Sequence, residues 1–585
     1  MLVGVVALLA TAALPEHVLV AGGDVNLARH THLALDAAPA NRLLAPIASE
    51  IRSADFAMAN LECVVSTRGA FHRKPENRPY FYRARPEMLD AMTDVGMDFL
   101  AVANNHSLDF GPEALLEQLE LLEAAGIAYA GGGQNLGAAM RPAYVTVGDV
   151  VLAIFGADAS VPPQRYFGAT AGRPGTFQVD LRTTALVDRL RGAIQEARRH
   201  AHIVIVSPHW GGNWTEGPSE DMRRAGRGLI EAGADVVLGH SSHQIHGVEI
   251  HQGKLIVWDM GSLLFDRTGQ SRMRKGLLFR LRFTRAGVHR LEVLPIRVAN
   301  NVTRRAIGTE AEEIRTLFRD LTSALDPDLP IEDGEEGWLT VPVPEGSERE
   351  IAAAPEARPT GRTRRLPDAL RTRRPNVFVE KMPRAFEDGR PQDIGGVELL
   401  GALLPQSVPE NHDVIVELFL RAKAPLSGRK LVVLSGGRRD TDCQFGEWAE
   451  PGDWAVPTER WGAGEIVRHR IALRSVAACG TGTFDLDVQL VPSRGESDTP
   501  KVRVGSFLVA PSERSRQPLV EPRVPFVPGR SPIAVVPTVA APVRRAWLWA
   551  TFAGVAIVLC AVTVAVIRRR RRAPAVTRPP GGPAA

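Results

Sequence analysis

An α/β domain with a buried sheet, followed by a smaller all-β module and a membrane-spanning helix, is the architecture these residues predict. Three observations predict it. From about Glu16 to Ile296, short apolar runs alternate with amphipathic stretches, the pattern of strands and helices sharing a layered core. From about 376 to 510, short alternating runs follow one another as strands of a sandwich do. Near the end, WLWATFAGVAIVLCAVTVAVI, residues 547–567, carries no charge.

The 585 residues exceed what one ordinary core holds, so more than one domain is expected. The formal charge is +4, but the run Arg568–Arg572 supplies +5 and leaves the rest of the chain at −1. With no basic, aromatic-interleaved face, a nucleic-acid partner is not expected. Four cysteines are too few for a disulfide framework and lack zinc-ribbon spacing.

In chain order, residues 1–16 are apolar with small residues near Ala12 and Ala13, and are read as a signal peptide that lacks the usual basic start. The α/β domain spans 17–345. HVLVAGGD reads as a strand ending in a turn, and DFAMANLE and MDFLAVANNH repeat the theme of an apolar run followed by polar residues. GPEALLEQLELLEAAG has helical periodicity and a stop at Gly126. TTALVDRLRGAIQEARRH is a second helix leading into the strand AHIVIVSPHWG, and SEDMRRAGRGLIEAGADVVLGH repeats helix, strand and polar end. GKLIVWDMGSLLFD is a strand, and GLLFRLRFTRAGVHRLEVLPIRV a hairpin.

Residues 346–375 are Pro- and Arg-rich with little to bury and read as a solvated linker. The β-sandwich module takes 376–510, where Cys443 and Cys479 can pair outside the cytoplasm. Residues 511–543 form a Pro-rich stalk. The segment 544–572 is the transmembrane helix with its basic flank. Its apolar part is about 30 Å long, enough to span. Trp547 and Trp549 mark one interface, and the arginine run places the tail 573–585 in the cytoplasm and the N-terminal bulk outside.

Ligands of open α/β sheets bind beyond the carboxyl ends of the strands. Polar residues of metal-ligand type stand at five such ends: Asp24 and Asn26; Asn60 and Glu62; Asn104, Asn105 and His106; His209; His240 and His243. Each has an ordinary explanation alone, as a turn residue, a helix cap or a hydrogen-bonded histidine. Together, carboxylate and amide oxygens mixed with imidazoles suit two divalent ions of Mn, Zn or Fe. Asp109 and Gly111 can equally serve the following helix and its turn, Cys63 reads as a small buried residue, and His246 and His251 read as rim residues.

The set GGDVN, NLE, ANNHSLDFG, PHWGGNW and GADVVLGHSSHQIHGVEI resembles the CapA family of capsule and poly-γ-glutamate synthesis proteins, a branch similar to calcineurin-like metallophosphoesterases. The resemblance covers about 17–300. It implies a four-layer α/β/β/α sandwich with the site at the sheet rim. It also implies Asp24, Asn26, Glu62, Asn105, His209, His240 and His243 as metal ligands, Glu62 as the bridging carboxylate and His106 as the catalytic residue. Asn60, Asn104, Asp109 and Asn213 would support them. The chain departs from the pattern at Asn26, where many metallophosphoesterases carry histidine. It departs again at Asn213, at Ser262 and in the G-H-x-x-H spacing of the closing motif.

The function so implied is a membrane-anchored, extracytoplasmic metal-dependent hydrolase in capsule or envelope-polymer synthesis. It would act on a phosphoester, or on an amide or ester of an anionic polymer such as poly-γ-glutamate, with His106 protonating the leaving group. Other capsule-synthesis proteins are its expected partners. The alternatives are a non-catalytic polyanion-binding component of export or anchoring, and, less favoured, a surface adhesin built on the β module.

Overall fold

The computed structural model describes residues 14–526, apart from 37–41, 72–73, 75–79, 162–166, 267–270, 300, 362, 387–388, 411–413, 494–498 and 512–522. The apolar leader 1–13 and the expected membrane span at 544–572 lie outside the described residues. Among those described, no helix is long and apolar enough to cross a membrane.

Two large sheets build the first part of the chain. In the first, strands His17–Val25, Phe56–Leu61, Phe99–Ala101 and Ala128–Ala130 lie parallel and side by side. Lys275–Thr284 and Gly287–Ala299 extend it antiparallel on the other flank of His17–Val25, as the expected hairpin. In the second, Val150–Ser160, Ile203–Gly211, Val236–Leu238 and Lys254–Val257 run parallel.

The period-2 alternation of strand side chains sorts the core. Leu19, Ala21, Phe56 and Met58 of the first sheet meet Ile154, Ile203, Ile205 and Leu238 of the second. Val20, Ala57 and Leu100 face the other way, onto Leu115, Leu119 and Leu122 of helix Pro112–Ala124. Val204, Val206 and Val237 likewise face helices Ala185–Ala197 and Glu220–Ala232. The result is an α/β sandwich whose strands are buried on both faces, which explains their near-continuous apolar runs.

Glycines let the strand ends meet. A Cβ on Gly23 would stand 1.9 Å from the carbonyl oxygen of Gly261, and one on Gly239 2.1 Å from that of Trp258. These close approaches bring the segment after His17–Val25, and the turn after Val236–Leu238, onto the backbone at 258–261. The Asp24 amide then donates to Gly261 at 2.9 Å.

From 378 onward two further sheets face each other across a common core that includes Leu399, Leu418, Leu434, Phe484, Leu486 and Phe507. Cys443 and Cys479 form a disulfide across a sequence separation of 36. Arg523–Phe526, inside the stretch read as a stalk, adds a strand to Val397–Pro405, so pairing reaches past 510. Pro525 fits such a strand because it stands at the edge of the sheet.

The Pro/Arg-rich stretch 346–375 is largely exposed, as expected, yet it is tied to the sandwich. Arg358–Pro359 pairs with Ala143–Val147, and Arg365, Arg371 and Arg373 bond Asp94, Asp90 and Glu117 of the sandwich. Acidic partners far away in the chain explain why its composition alone suggested a free linker.

Candidate metal centre

The parallel strands deliver their polar ends to one rim. His209 stands beside Asp158 in strand register and forms a bridge with His240, while Asp24 pairs with both Asn60 and Ser262. Asp24 and Glu62 are fully buried there, and the surrounding histidines are buried with them.

Asp24 is one pole of the cluster. His243 Nδ1 lies 3.1 Å from its Oδ2, while His209 Nδ1 and His240 Nδ1 lie 3.7 and 3.8 Å from its Oδ1. Glu62 is the other pole. His243 Nδ1, His209 Nε2 and His106 Nε2 lie 3.5, 3.8 and 3.9 Å from its oxygens. One ligand atom each from Asp24, Glu62 and His243 fall within 4.8 Å of one another.

The supporting shell is hydrogen-bonded. Asn60 donates to Asp24 at 2.8 Å and accepts from Asn104, which also donates to the Leu61 carbonyl. His240 Nε2 meets Ser207 Oγ at 2.9 Å, which turns Nδ1 toward Asp24. Asp259 accepts from the amides of Ser242 and Gly261 and so fixes the loop that carries His240 and His243. That loop is strained: Ser241 and His243 have φ of 115° and 58°, and Trp214, whose amide donates to Ser242, has φ of 62°. Non-glycine residues held in such conformations gather at functional sites.

His106 has its own surroundings. Its Nδ1 lies 2.7 Å from Asp109 Oδ2, and its ring stacks on Tyr82 at 4.0 Å between centroids. Asp109 does not cap the next helix. It accepts from the Tyr82 amide and pairs with Lys74 Nζ at 2.6 Å. Lys74 is itself buried, 3.2 Å from His106 Nδ1.

Not all expected residues converge. Asn26 turns its Oδ1 to the Ala28 amide, a local turn bond. Asn213 is exposed on the loop after Ile203–Gly211. His246 bonds the Thr215 carbonyl and His251 pairs with Glu231, as rim residues do. Cys63 is a buried free thiol that burial pushes well above its usual range. Asp259, Lys74 and Tyr82 were not anticipated. Asp259 ends the run LIVWD, a sixth strand end that the same rule would have found.

The electrostatics describe a site short of positive charge. Burial, with the Asp24 charge, pushes Glu62 and Asp259 well above the carboxylate range. Burial also raises Asp24, but the bond from His243 and the nearby imidazoles outweigh it and hold this carboxyl low. Burial takes His209 down to about 3 and His240 to about 4, and burial with Lys74 lowers His106 well below its usual value.

The donor atoms test the fit of a cation directly. Both oxygens of Glu62, His209 Nε2, His240 Nδ1 and Asn105 Oδ1 are buried without a hydrogen-bond partner. Native proteins rarely leave such groups unmet. Here the unmet atoms are carboxylate and amide oxygens and imidazole nitrogens, the donor set of Mn, Zn and Fe sites. The residues fit divalent ions.

Every residue of this cluster lies within 18–267, the stretch that matches the family described as bacterial capsule synthesis protein PGA_cap. A probable polyglutamine synthesis accessory protein of Mycobacterium tuberculosis is 32% identical over 277 residues, 46% of this chain and 72% of that protein. The PGA biosynthesis protein CapA of Bacillus subtilis is 26% identical over 315 residues, 54% of this chain and 80% of that one. The capsule biosynthesis protein CapA of Bacillus anthracis is 23% identical, covering 51% and 71% of the two chains.

Proposed function

Because the chain belongs to the bacterial capsule synthesis protein family, we propose that it is a membrane-anchored, extracytoplasmic metal-dependent hydrolase of an anionic envelope polymer. The observation that carries this reading is the set of buried, unmet ligand atoms gathered around Asp24 and Glu62 at one sheet rim. The helices outside each sheet fit the four-layer sandwich of metallophosphoesterase-like proteins. The names of the relatives point to poly-γ-glutamate or a similar polyanion as the polymer.

Asp24, Glu62, Asn105, His209, His240 and His243 would hold two divalent ions. Such ions, when bound, supply Lewis acidity and lower the pKa of water. The protein's own groups do the rest. Asp109 holds Nδ1 of His106, so Nε2 faces Glu62 and the reacting centre, where it can take a proton from the attacking water and pass that proton on to the leaving group. Lys74 pairs with Asp109 beside it. The scissile bond is a phosphoester, or an amide or ester of the polymer.

Two features support the location. The Cys443–Cys479 bond is of a kind that persists in oxidising compartments. The uncharged run 547–567 with five following arginines reads as a single span with its C-terminus in the cytoplasm.

A non-catalytic polymer-binding role is the second reading. Asn26 favours it, because its amide oxygen is turned onto Ala28 rather than the cluster.

Elemental analysis of the detergent-solubilised full chain tests the centre. About two transition-metal ions per chain are expected, lost in His240→Ala/His243→Ala. No metal in the wild type after loading with Mn, Zn or Fe would sink the hydrolase reading. Metal retained in His106→Ala, with polymer binding intact and no hydrolysis by wild type or variant, would favour the second.

A further inference from the structure

The matched family region ends at 267, so the β module is an addition to it. Its docking face is not remote from the metal centre. Two separate chains of contacts run from the module to the residues around His106.

The first passes through Arg474, which directly follows the module's strand Ile466–Leu473. Its guanidinium lies 4.0 Å from the centroid of Tyr80. The Tyr80 carbonyl accepts from Lys74 Nζ at 2.9 Å, and Lys74 touches both His106 and Asp109. Arg474 is held in turn by Glu447 at 3.6 Å. The Cys443–Cys479 bond ties the segment just after Arg474 to the start of the strand that bears Glu447.

The second passes through Trp448, the residue after Glu447. Its indole meets the His30 ring edge-on at 4.2 Å. His30 and Arg29 share Asp266 at 2.7 Å each, and the Arg29 guanidinium lies 4.8 Å from the centroid of Tyr82. Tyr82 is the ring stacked on His106, and its amide bonds Asp109.

We propose that the β module is a working wall of the metal centre, in which Arg474 and Trp448 are positioning residues that hold Tyr80, Tyr82 and Lys74 against His106. The inference rests on the reading of His106 as the proton donor. It goes beyond that reading by making the activity depend on a module outside the family region. The physical basis is preorganisation: a donor displaced by about 1 Å loses much of its effect even when every ligand stays in place. A cation over a ring in a partly desolvated site is strong enough to hold that geometry.

The test uses the full chain in detergent, loaded with Mn(II), as wild type, Arg474→Ala, Trp448→Ala, the double variant and Arg474→Lys. Bound metal, amide hydrogen exchange over 80–85, thermal midpoint, and kcat and KM on bis(p-nitrophenyl) phosphate are measured. The expected result is unchanged metal content in all forms. Exchange at the Tyr82 amide rises about tenfold in Arg474→Ala, the size of a lost ring–cation contact. Alongside, kcat falls with KM unchanged, and Arg474→Lys restores both.

Unchanged exchange and kcat in the double variant would overturn the proposal. So would exchange raised evenly across the molecule with a collapsed thermal midpoint, because that marks a merely structural contact. If the wild type turns over no phosphodiester, the hydrolase reading suffers. The exchange and its rescue by lysine then still decide whether the module holds the wall.

Discussion

Two buried carboxylate clusters stand within the same molecule and behave in opposite ways. At the metal centre, Asp24 and Glu62 are surrounded by histidines and asparagines. At the junction with the β module, Glu450 is equally buried but meets Arg85 at 2.6 Å, Arg429 at 3.1 Å and His32 at 3.6 Å. Both Glu62 and Glu450 lose solvation on burial. The guanidinium groups, with His32, hold Glu450 below the carboxylate range, whereas Glu62, with Asp24 as its neighbour, is driven well above it. The difference teaches how to tell a structural buried charge from a binding site. The first carries its counter-charge in the chain, and the second leaves the counter-charge to be supplied.

The largest expected effect breaks the closed cluster. Glu450→Gln leaves the buried Arg85 and Arg429 short of a counter-charge, and urea unfolding is expected to show a loss of about 3 kcal/mol. Glu62→Gln should do the reverse in the metal-free chain, with stability kept or slightly raised, because a repelled carboxylate is neutralised. An equal loss in both variants would erase the distinction drawn here.

Next in size is the response to metal. Ions that bind only the folded chain stabilise it by about 2.7 kcal/mol when present at 100 times their Kd. That gain is expected for the wild type and for Glu450→Gln, and is expected to vanish in Glu62→Gln. Thermal midpoints with and without Mn(II) measure it. A gain surviving in Glu62→Gln would place the cation elsewhere.

The two clusters were not equally legible. Asp24, Glu62, His106, His209, His240 and His243 each stand at or shortly after the carboxyl end of an apolar run, so the rule that ligands gather at carboxyl ends brings them to one rim. Asp259 obeys the same rule but follows a tryptophan inside a run read only as a strand. Lys74 has no such signal. It sits in a polar stretch without periodicity and meets His106 across a sequence separation of 32. The junction is less visible still. Arg85 and Glu450 are 365 residues apart, and nothing local distinguishes them from solvated surface charges. The same holds for Arg365, Arg371 and Arg373, whose acidic partners lie in the sandwich. Periodicity reports which residues face a core; it does not report which charges will meet across two cores.

The smallest effect separates the clusters by pH. Burial takes His32 down to about 4, with Arg85 adding to the shift against the pull of Glu450 and Glu87. A histidine depressed in the folded state takes up its proton first in the unfolded chain. The stability it contributes is therefore complete above about pH 6.5 and is lost as pH falls toward 4, at about 1.4 kcal/mol per unit. His209 and His240 carry the same sign in the metal-free chain. Bound ions would oppose their protonation, since a ligating imidazole must be neutral. Stability measured from pH 7 to 5 should thus fall at least as steeply with Mn(II) at saturation as without it, because the ions can only remove protons from the folded rim, while His32→Leu removes about one proton's worth of slope in either state. If metal instead makes the slope of His32→Leu shallower, the folded rim takes up protons while the ion is bound, so its imidazoles are not the ligands and the two clusters differ only in which charges they bury.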